Sequence, residues 1–270
     1  MGSDIRSNDE ISKEAFLQRF NGKSLHVGLR ASDFHFYKYG NQIRAQVTTA
    51  VPSMVELFEK VFRKCGHTVK YPYLNGGRTQ WMLKAILHKS YEFAVEKPTR
   101  IPQWIKCDRT LFMRFLAGYT DGDGSLGLYR VDRHYIIRKV AIETQDVDIL
   151  RDIKEKLTEY GYHPALYLTS KKGTLNNYGP YNKDLWHIHI DRKDEDLKLL
   201  QELPLRHQDK IRIKSLILDT KDAILWPEVE GKIVALRKKF SDEIERYKLV
   251  EIEFKSAKKS ALKEGISRGF

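Results

Sequence analysis

Two cysteines in 270 residues, Cys65 and Cys107, are too few and too isolated to frame a disulfide-stapled domain or a zinc site. A reducing, intracellular setting fits them, cytoplasm or organelle matrix. No apolar run approaches the length of a membrane span, and no cleavable signal is evident at the N-terminus, so neither a membrane nor secretion is expected. Acid is short relative to base: 48 Lys and Arg against 36 Asp and Glu leave a formal net charge of +12. Basic excess mixed with 14 Tyr and 12 Phe fits a polyanionic partner, although many basic soluble proteins bind no nucleic acid. The apolar fraction of 41% is ordinary, and the length suffices for one large core or two small ones.

What is present is more specific. An apolar helical run, Leu111 to Leu116, enters Ala117-Gly118, two small residues that let a second helix approach closely. It leaves through Asp121-Gly122-Asp123-Gly124, where glycine allows a sharp turn beside two carboxylates. A helix shaped for close packing that ends in acid can hold a divalent metal at an interface. Asp-Gly pairs alone also make turns that bind nothing.

The chain is written twice. After the motif, Leu126–Arg130 and Ile136–Thr144 alternate as half-buried strands around an Asp132-Arg133-His134 turn. Val147, Ile149, Leu150, Ile153, Leu157 and Tyr160 then fall at helical spacing, with Gly161 as the stop. Strands at His163–Ser170 and Leu185–Ile190 follow, and a helix around Asp194–Glu202. The same order precedes it in weaker form. Leu25 to Asp33 lies over the motif with Gly28 on Gly118 and Asp33 on Asp123. A hairpin (Phe34–Tyr37, Ile43–Thr49), a helix through Val55, Leu57, Phe58, Val61 and Phe62, and strands at Val69–Tyr73 and Thr79–Leu83 complete the first copy. Met54–Gly66 and Ile149–Gly161 align without a gap. The expected fold is α+β: two pseudo-symmetric αββαββα repeats with antiparallel, saddle-shaped sheets and the motif helices packed at the repeat interface. The divisions expected are a degenerate first repeat at 1–95, a linker at 96–110, a second repeat at 111–225 and a basic helical extension at 226–270. The linker's Ile101-Pro102-Gln103-Trp104-Ile105 is expected to anchor on the second copy through Trp104.

Residues 116–124, Leu-Ala-Gly-Tyr-Thr-Asp-Gly-Asp-Gly, resemble the LAGLIDADG motif of a family of homing endonucleases. The resemblance spans roughly residues 24–220. It implies that Asp123 and its partner Asp33 are catalytic, metal-binding carboxylates, with Mg2+ as cofactor, Mn2+ as a substitute and Ca2+ supporting binding without cleavage. Asp121 sits one position off the metal-facing direction and is expected to cap or hydrogen-bond the turn. Gln145 matches the family's water-ordering position; its first-copy counterpart is Ala50. Lys210 is the catalytic basic residue expected from the second copy, ahead of Arg206 and His207, while Lys84 and Lys89 stay open for the first. The first motif departs from the pattern: it lacks the leading Leu-Ala, Arg30 stands at an apolar position and Phe34 replaces the last glycine.

The partner implied is double-stranded DNA with a long, pseudo-palindromic target, bound by a monomer; the resemblance also allows the chain's own intron RNA. Sheet residues suited to base or phosphate contact are Lys38, Asn41, Gln42, Arg44 and Gln46 in one hairpin and Arg130, Arg133, His134, Arg138 and Lys139 in the other. Lys171, Lys172, Asn176 and Asn177 in the later loop would reach phosphates or flanking bases. Polar wet faces are also what any one-sided sheet requires. The activity implied is site-specific double-strand cleavage by a free-standing, intron-encoded enzyme rather than an intein. The corrupted first motif and Ala50 favour the other reading, a cleavage-deficient RNA maturase or DNA-binding regulator on the same scaffold.

Overall fold

The computed structural model describes residues 20, 22–75, 78–132, 134–176 and 179–263. Helix α1 (22–31) opens the chain. It is followed by β1 (His35–Tyr39), β2 (Gln42–Thr49), α2 (Pro52–Phe62), β3 (Gly66–Asn75), β4 (Arg78–Leu87) and a 3-10 helix at Lys89–Ala94. A short α3 (Gln103–Lys106) leads into α4 (Arg109–Asp123), the motif helix. The second repeat continues with β5 (Gly124–Val131), β6 (Tyr135–Thr144), α5 (Val147–Glu159), β7 (Ala165–Ser170), the small hairpin β8 (Leu175–Asn176) and β9 (Gly179–Pro180), then β10 (Leu185–Ile190) and α6 (Lys193–Glu202). Helices α7 (Gln208–Asp219) and α8 (Pro227–Lys263) close the chain.

The duplication is visible in the topology. The first sheet runs β1-β2-β4-β3 and the second β5-β6-β10-β7, both antiparallel. Register repeats as well as order: Thr49 stands opposite Trp81 on β4, and Thr144 opposite Trp186 on β10. Each sheet turns one face inward, through Phe36, Ile43, Ala45 and Val47 in the first and Leu126, Leu128, Val140 and Ile142 in the second. Strand periodicity explains this, because alternate side chains take opposite faces.

Each repeat has its own core. Phe34, Phe58 and Phe62 stack in the first with ring centroids 4.7–6.2 Å apart, contacts worth about 0.5–1.5 kcal/mol each beyond burial. The second gathers Phe112, Phe115, Leu116 and Tyr119 of α4 with the inner face of its sheet. Helix α1 serves both cores: Leu25 and Leu29 enter the first, Val27 and Ala31 the second. Trp104 of the linker packs against the second core, as expected, but the stronger anchor is polar. Asp152 of α5, fully buried, accepts from Arg100 Nε at 2.9 Å, Arg100 Nη2 at 2.5 Å and the backbone N–H of Ile101 at 2.8 Å.

Three departures from the sequence-based expectation stand out. The first repeat ends in a 3-10 turn where the second ends in a full helix. Helix α7 was not anticipated as an element. The extension is one continuous helix of 37 residues, about 55 Å long. It reaches from the second core, at Val229 and Ile233, to the first, where Tyr247 meets Trp81 edge-on with centroids 6.0 Å apart. It ties the two repeats together.

Candidate active site at the repeat seam

The two motif helices cross through their glycines. A Cβ on Gly28 would lie 2.1 Å from the carbonyl oxygen of Phe115 and 2.9 Å from the amide nitrogen of Tyr119. One on Gly118 would lie 2.5 Å from the carbonyl oxygen of Leu25 and 3.2 Å from the amide nitrogen of Leu29. With Gly28 laid on Gly118, the atoms each glycine meets are equivalents of one another. The seam therefore has local twofold symmetry, and backbone meets backbone where no side chain fits. Helix α4 starts cleanly because Asp108 accepts from the Leu111 N–H at 3.0 Å. Leu111 to Met113 and Phe115 to Asp121 are all buried, since both repeats pack around that helix.

This crossing delivers Asp33 and Asp123 to one place. Asp123 ends α4, half-buried; Asp33 follows α1, exposed. Burial first, then the charge of Asp33 and a hydrogen bond with it, push the Asp123 carboxyl up to about 7, against the pull of Lys97 and Lys210. Two carboxyls that close cannot both ionise at low cost unless a cation joins them. They open into a cleft lined also by Lys97, Glu143, Thr144, Gln145, Asp146 and Lys183. Of the remaining expected site residues, Gln145 lies in this cleft. Asp146 receives Lys97 at 2.9 Å and Lys183 at 3.7 Å. Glu143, Asp146, Lys97 and Lys183 escaped the sequence reading, because no spacing rule ties a linker lysine to a strand end in the other repeat.

Lys210 lies within electrostatic reach of both Asp33 and Asp123. Its ammonium is not in the cleft lining but beneath it, donating to the carbonyl oxygens of Thr120, Asp121 (2.8 Å) and Gly122 (3.0 Å) at the C-terminus of α4. Burial pulls its pKa down to about 8 while the neighbouring aspartates oppose this. Asp121 makes the return connection. Fully buried, it accepts from the backbone N–H groups of Arg206 (2.9 Å) and His207 (3.1 Å), just before α7. Its carboxyl is raised to about 6, chiefly by burial. Each helix thus satisfies the other's free end. His207, held down to about 3 by burial, and Arg206, whose N–H serves Asp121, belong to this lock. Lys84 lies on the outer face of β4, 5.4 Å from the Tyr71 ring centroid, and Lys89 is exposed in the 3-10 helix; neither lines the cleft.

The sheet residues divide by face. Gln42, Arg44 and Gln46 project from the outer face of β2, with Arg44 over the Tyr39 ring at 3.7 Å and Tyr37 Oη 3.5 Å from Gln46. Asn41 is exposed at the hairpin turn. Lys139 lies on the outer face of the second sheet, 5.9 Å from the Tyr129 ring, with Tyr167, His187 and His189. His134, Lys171, Lys172 and Asn176 are exposed in turns and the β8 hairpin. Arg133 and Asn177 lie outside the described residues. Three expectations are corrected. Lys38 has the parity of Phe36 and pairs with Glu92 at 3.2 Å, away from the outer face. Arg130 has the parity of Leu126 and Leu128, likewise the opposite side of the sheet. Arg138 is buried, its guanidinium donating to the carbonyls of Thr220, Lys221 (3.2 Å) and Ala223 (2.9 Å) behind α7. It is a helix cap and cannot reach DNA.

Duplicated ββαββ units, one sheet order and a glycine-to-glycine crossing that ends in paired aspartates make one recognisable architecture. It is the arrangement that the resemblance of residues 116–124 to the LAGLIDADG motif implies. No family model matches the chain. An uncharacterised protein of Methanocaldococcus jannaschii is 22% identical over 198 residues, covering 70% of this chain and 69% of that one. Among solved structures, the homing endonuclease I-WcaI bound to its DNA recognition sequence aligns with a TM-score of 0.48 and 14% identity over 73% of this chain and 89% of that one. Mesophilic variants of the homing endonuclease I-DmoI align at 0.45 and 13% over 68% and 96%. The N-terminal LAGLIDADG domain of DUF199/WhiA aligns at 0.43 and 14% over 79% and 100%. For this chain, the resemblance to the LAGLIDADG family rests on its own residues 116–124.

Proposed function

We propose that the protein is a divalent-metal-dependent, site-specific endonuclease acting on double-stranded DNA. The observation that carries this is the Asp33–Asp123 pair, held at a close-packed seam and opening into a polar cleft. The donor set fits a hard cation. Carboxylate oxygens are the ligands Mg2+, Mn2+ and Ca2+ prefer, and a cation between Asp33 and Asp123 would offset their mutual repulsion. Among the described residues no group of three or more His, Cys, Asp or Glu forms a cage by itself. Mg2+ commonly takes one or two carboxylates and completes its shell with water and phosphate, which suits two aspartates beside a DNA backbone. Asp33 and Asp123 would hold the metal, and the metal supplies Lewis acidity and a lowered pKa for water.

The chain's own residues do the rest. The Gln145 amide can hold a water by one hydrogen bond while leaving its lone pairs toward phosphorus. Glu143 or Asp146 can take a proton from that water. Lys97 and Lys183 offset the phosphate charge and are themselves held by Asp146. Lys210 and Asp121 fix the end of α4, so the Asp123 carboxylate is placed by main-chain connections on both sides. Duplex recognition falls to the outer sheet faces, through Gln42, Arg44, Gln46 and Lys139, with Asn41, His134, Lys171, Lys172 and Asn176 at their margins. One chain carries both halves, so a monomer can span both half-sites of a long target. Intron-encoded homing follows from the same reading.

A second reading, binding of DNA or intron RNA without cleavage, is favoured by Ala50, which replaces the counterpart of Gln145. Selection of cleaved sites from a random duplex library in Mg2+, with Ca2+ as the binding-only control, separates the two. A single enriched site cut in Mg2+ supports the nuclease. Binding in both cations with no cut supports the second reading, and cuts without sequence preference remove site-specificity.

A further inference from the structure

The seam is symmetric in its helices and asymmetric in what surrounds its acids. On the second repeat β6 runs into α5 through Glu143-Thr144-Gln145-Asp146, and all four residues line the cleft. The ladder registers identify the counterpart. Thr144 faces Trp186 as Thr49 faces Trp81, so the matching segment is Thr48-Thr49-Ala50-Val51. The local turn is also the same: Thr144 Oγ1 accepts from the Asp146 N–H at 3.2 Å, and Thr49 Oγ1 accepts from the Val51 N–H at 3.0 Å. The backbone is retained while the chemistry differs. Ala50 and Val51 can neither orient a water nor accept a proton.

The cations do not share this imbalance: Lys97 and Lys210 both act on Asp123. Lys97, in the linker, pairs with Asp146 at 2.9 Å. Lys210 is committed to the carbonyls that end α4, and the backbone of Arg206 and His207 to Asp121. By register, Gln145 and Asp146, which can order a water and accept a proton, have Ala50 and Val51 as their first-repeat counterparts.

Resting on the nuclease reading above, we infer that the protein is strand-selective: it hydrolyses the phosphodiester lying over the second repeat and releases a nicked duplex. In that step a water oxygen bonds to phosphorus as the bond from phosphorus to the 3′ oxygen breaks. One water proton passes to a cleft carboxylate, and the departing oxygen takes a proton from solvent water to become a 3′-hydroxyl, leaving a 5′-phosphate on the other fragment. The opposite strand meets the same two aspartates without an amide or a third carboxylate. Losing a positioned general base costs about 100-fold in rate.

The test uses the full chain and a duplex carrying its selected site, each strand labelled with a different fluorophore, resolved on denaturing gels. The wild-type protein is expected to cut one strand about 100-fold faster than the other, and nicked product accumulates. The double variant Ala50→Gln/Val51→Asp grafts the second-repeat pair onto the matching turn, where Asp is also a favourable residue ahead of a helix. It is expected to speed the slow strand at least tenfold while Ca2+-supported duplex affinity and the fast strand stay unchanged. Equal rates for both strands in the wild type overturn the inference and leave the nuclease standing. A selective wild type whose slow strand ignores the graft overturns the cause assigned here. Tight binding with neither strand cut overturns the nuclease reading and strand choice with it.

Discussion

The two repeats share a scaffold and differ in what they carry on it. Both have the same strand order, the same Thr-to-Trp register and a glycine at the helix crossing. Only the second has an acid three residues past that glycine: Asp121 matches Ala31, one buried and charged, the other buried and apolar. Only the second has Gln145 and Asp146 at the lip of the cleft, and a helix α7 locked to its motif helix. The comparison teaches that the fold and the chemistry are held by different residues. Close helix packing requires glycine and tolerates no substitute, so it persists in both copies. Polar groups around the aspartates contribute little to packing, so one copy can lack them and still fold.

The largest expected effect probes what the repeats share. Gly28→Ala and Gly118→Ala each drive a Cβ into backbone of the opposite helix, at 2.1 and 2.5 Å, and no flexible side chain can yield. Each should cost about 3 kcal/mol or more, read as a lowered midpoint in denaturant. Comparable losses support the symmetric crossing; a neutral Gly28→Ala breaks it.

Next comes what the repeats do not share. Asp121→Ala leaves two backbone N–H groups before α7 without their acceptor and should cost about 1–3 kcal/mol, by the same measurement. Lys210→Met should destabilise in the same range by exposing the end of α4, and it should lower cleavage through displacement of Asp123. Unchanged stability in both variants would remove the lock between α4 and α7.

The acid pair gives a pH signature of intermediate size. Asp123 moves from 3.8 to about 7 on folding, so between those values the folded state binds more protons than the unfolded chain. Stability from this group is therefore greatest in acid and declines as pH rises from about 4 to about 7. His26 and His207, held neutral by burial at about 4 and about 3, slope the other way below 6.5. The difference between wild type and Asp123→Asn isolates the aspartate: in chelator the variant should gain relative stability as pH rises from 4 to 7, and Mg2+ should shrink that gain. A pH-independent difference would mean the carboxyls do not interact.

The smallest effect separates faces of one hairpin. Lys38→Ala removes an exposed pair with Glu92 and should change stability by less than about 1 kcal/mol and leave DNA affinity nearly as it was. Arg44→Ala, on the outer face, should weaken duplex binding and reduce its salt dependence. Equal losses from both would contradict the assigned faces.

Much of this architecture was readable before any coordinates. Gly28 and Gly118, the hairpins and the gap-free α2 and α5 segments declare themselves, because packing and turns impose strict spacing. Asp33 was placed by register with Asp123, not by its own surroundings. The cleft was less legible. Lys97 and Lys183 become site residues only when folding brings them to Asp146, and nothing local in the chain encodes that meeting. Arg138 misled because Ile136-Ile137-Arg138-Lys139 puts apolar and basic residues on both parities, so alternation does not tell which face is wet. Helix α7 was hidden because Lys210, Arg212 and Lys214 interrupt its apolar positions, and two of those cations make helix-end bonds that only tertiary structure supplies.

Asp123→Asn tests the central claim most directly, assayed in parallel for cleavage of the selected duplex in Mg2+ and for binding of the same duplex in Ca2+. The substitution keeps size and hydrogen-bonding capacity while removing the charge that meets Asp33. The account predicts loss of cleavage on both strands with duplex affinity retained. Cleavage at the wild-type rate would contradict it.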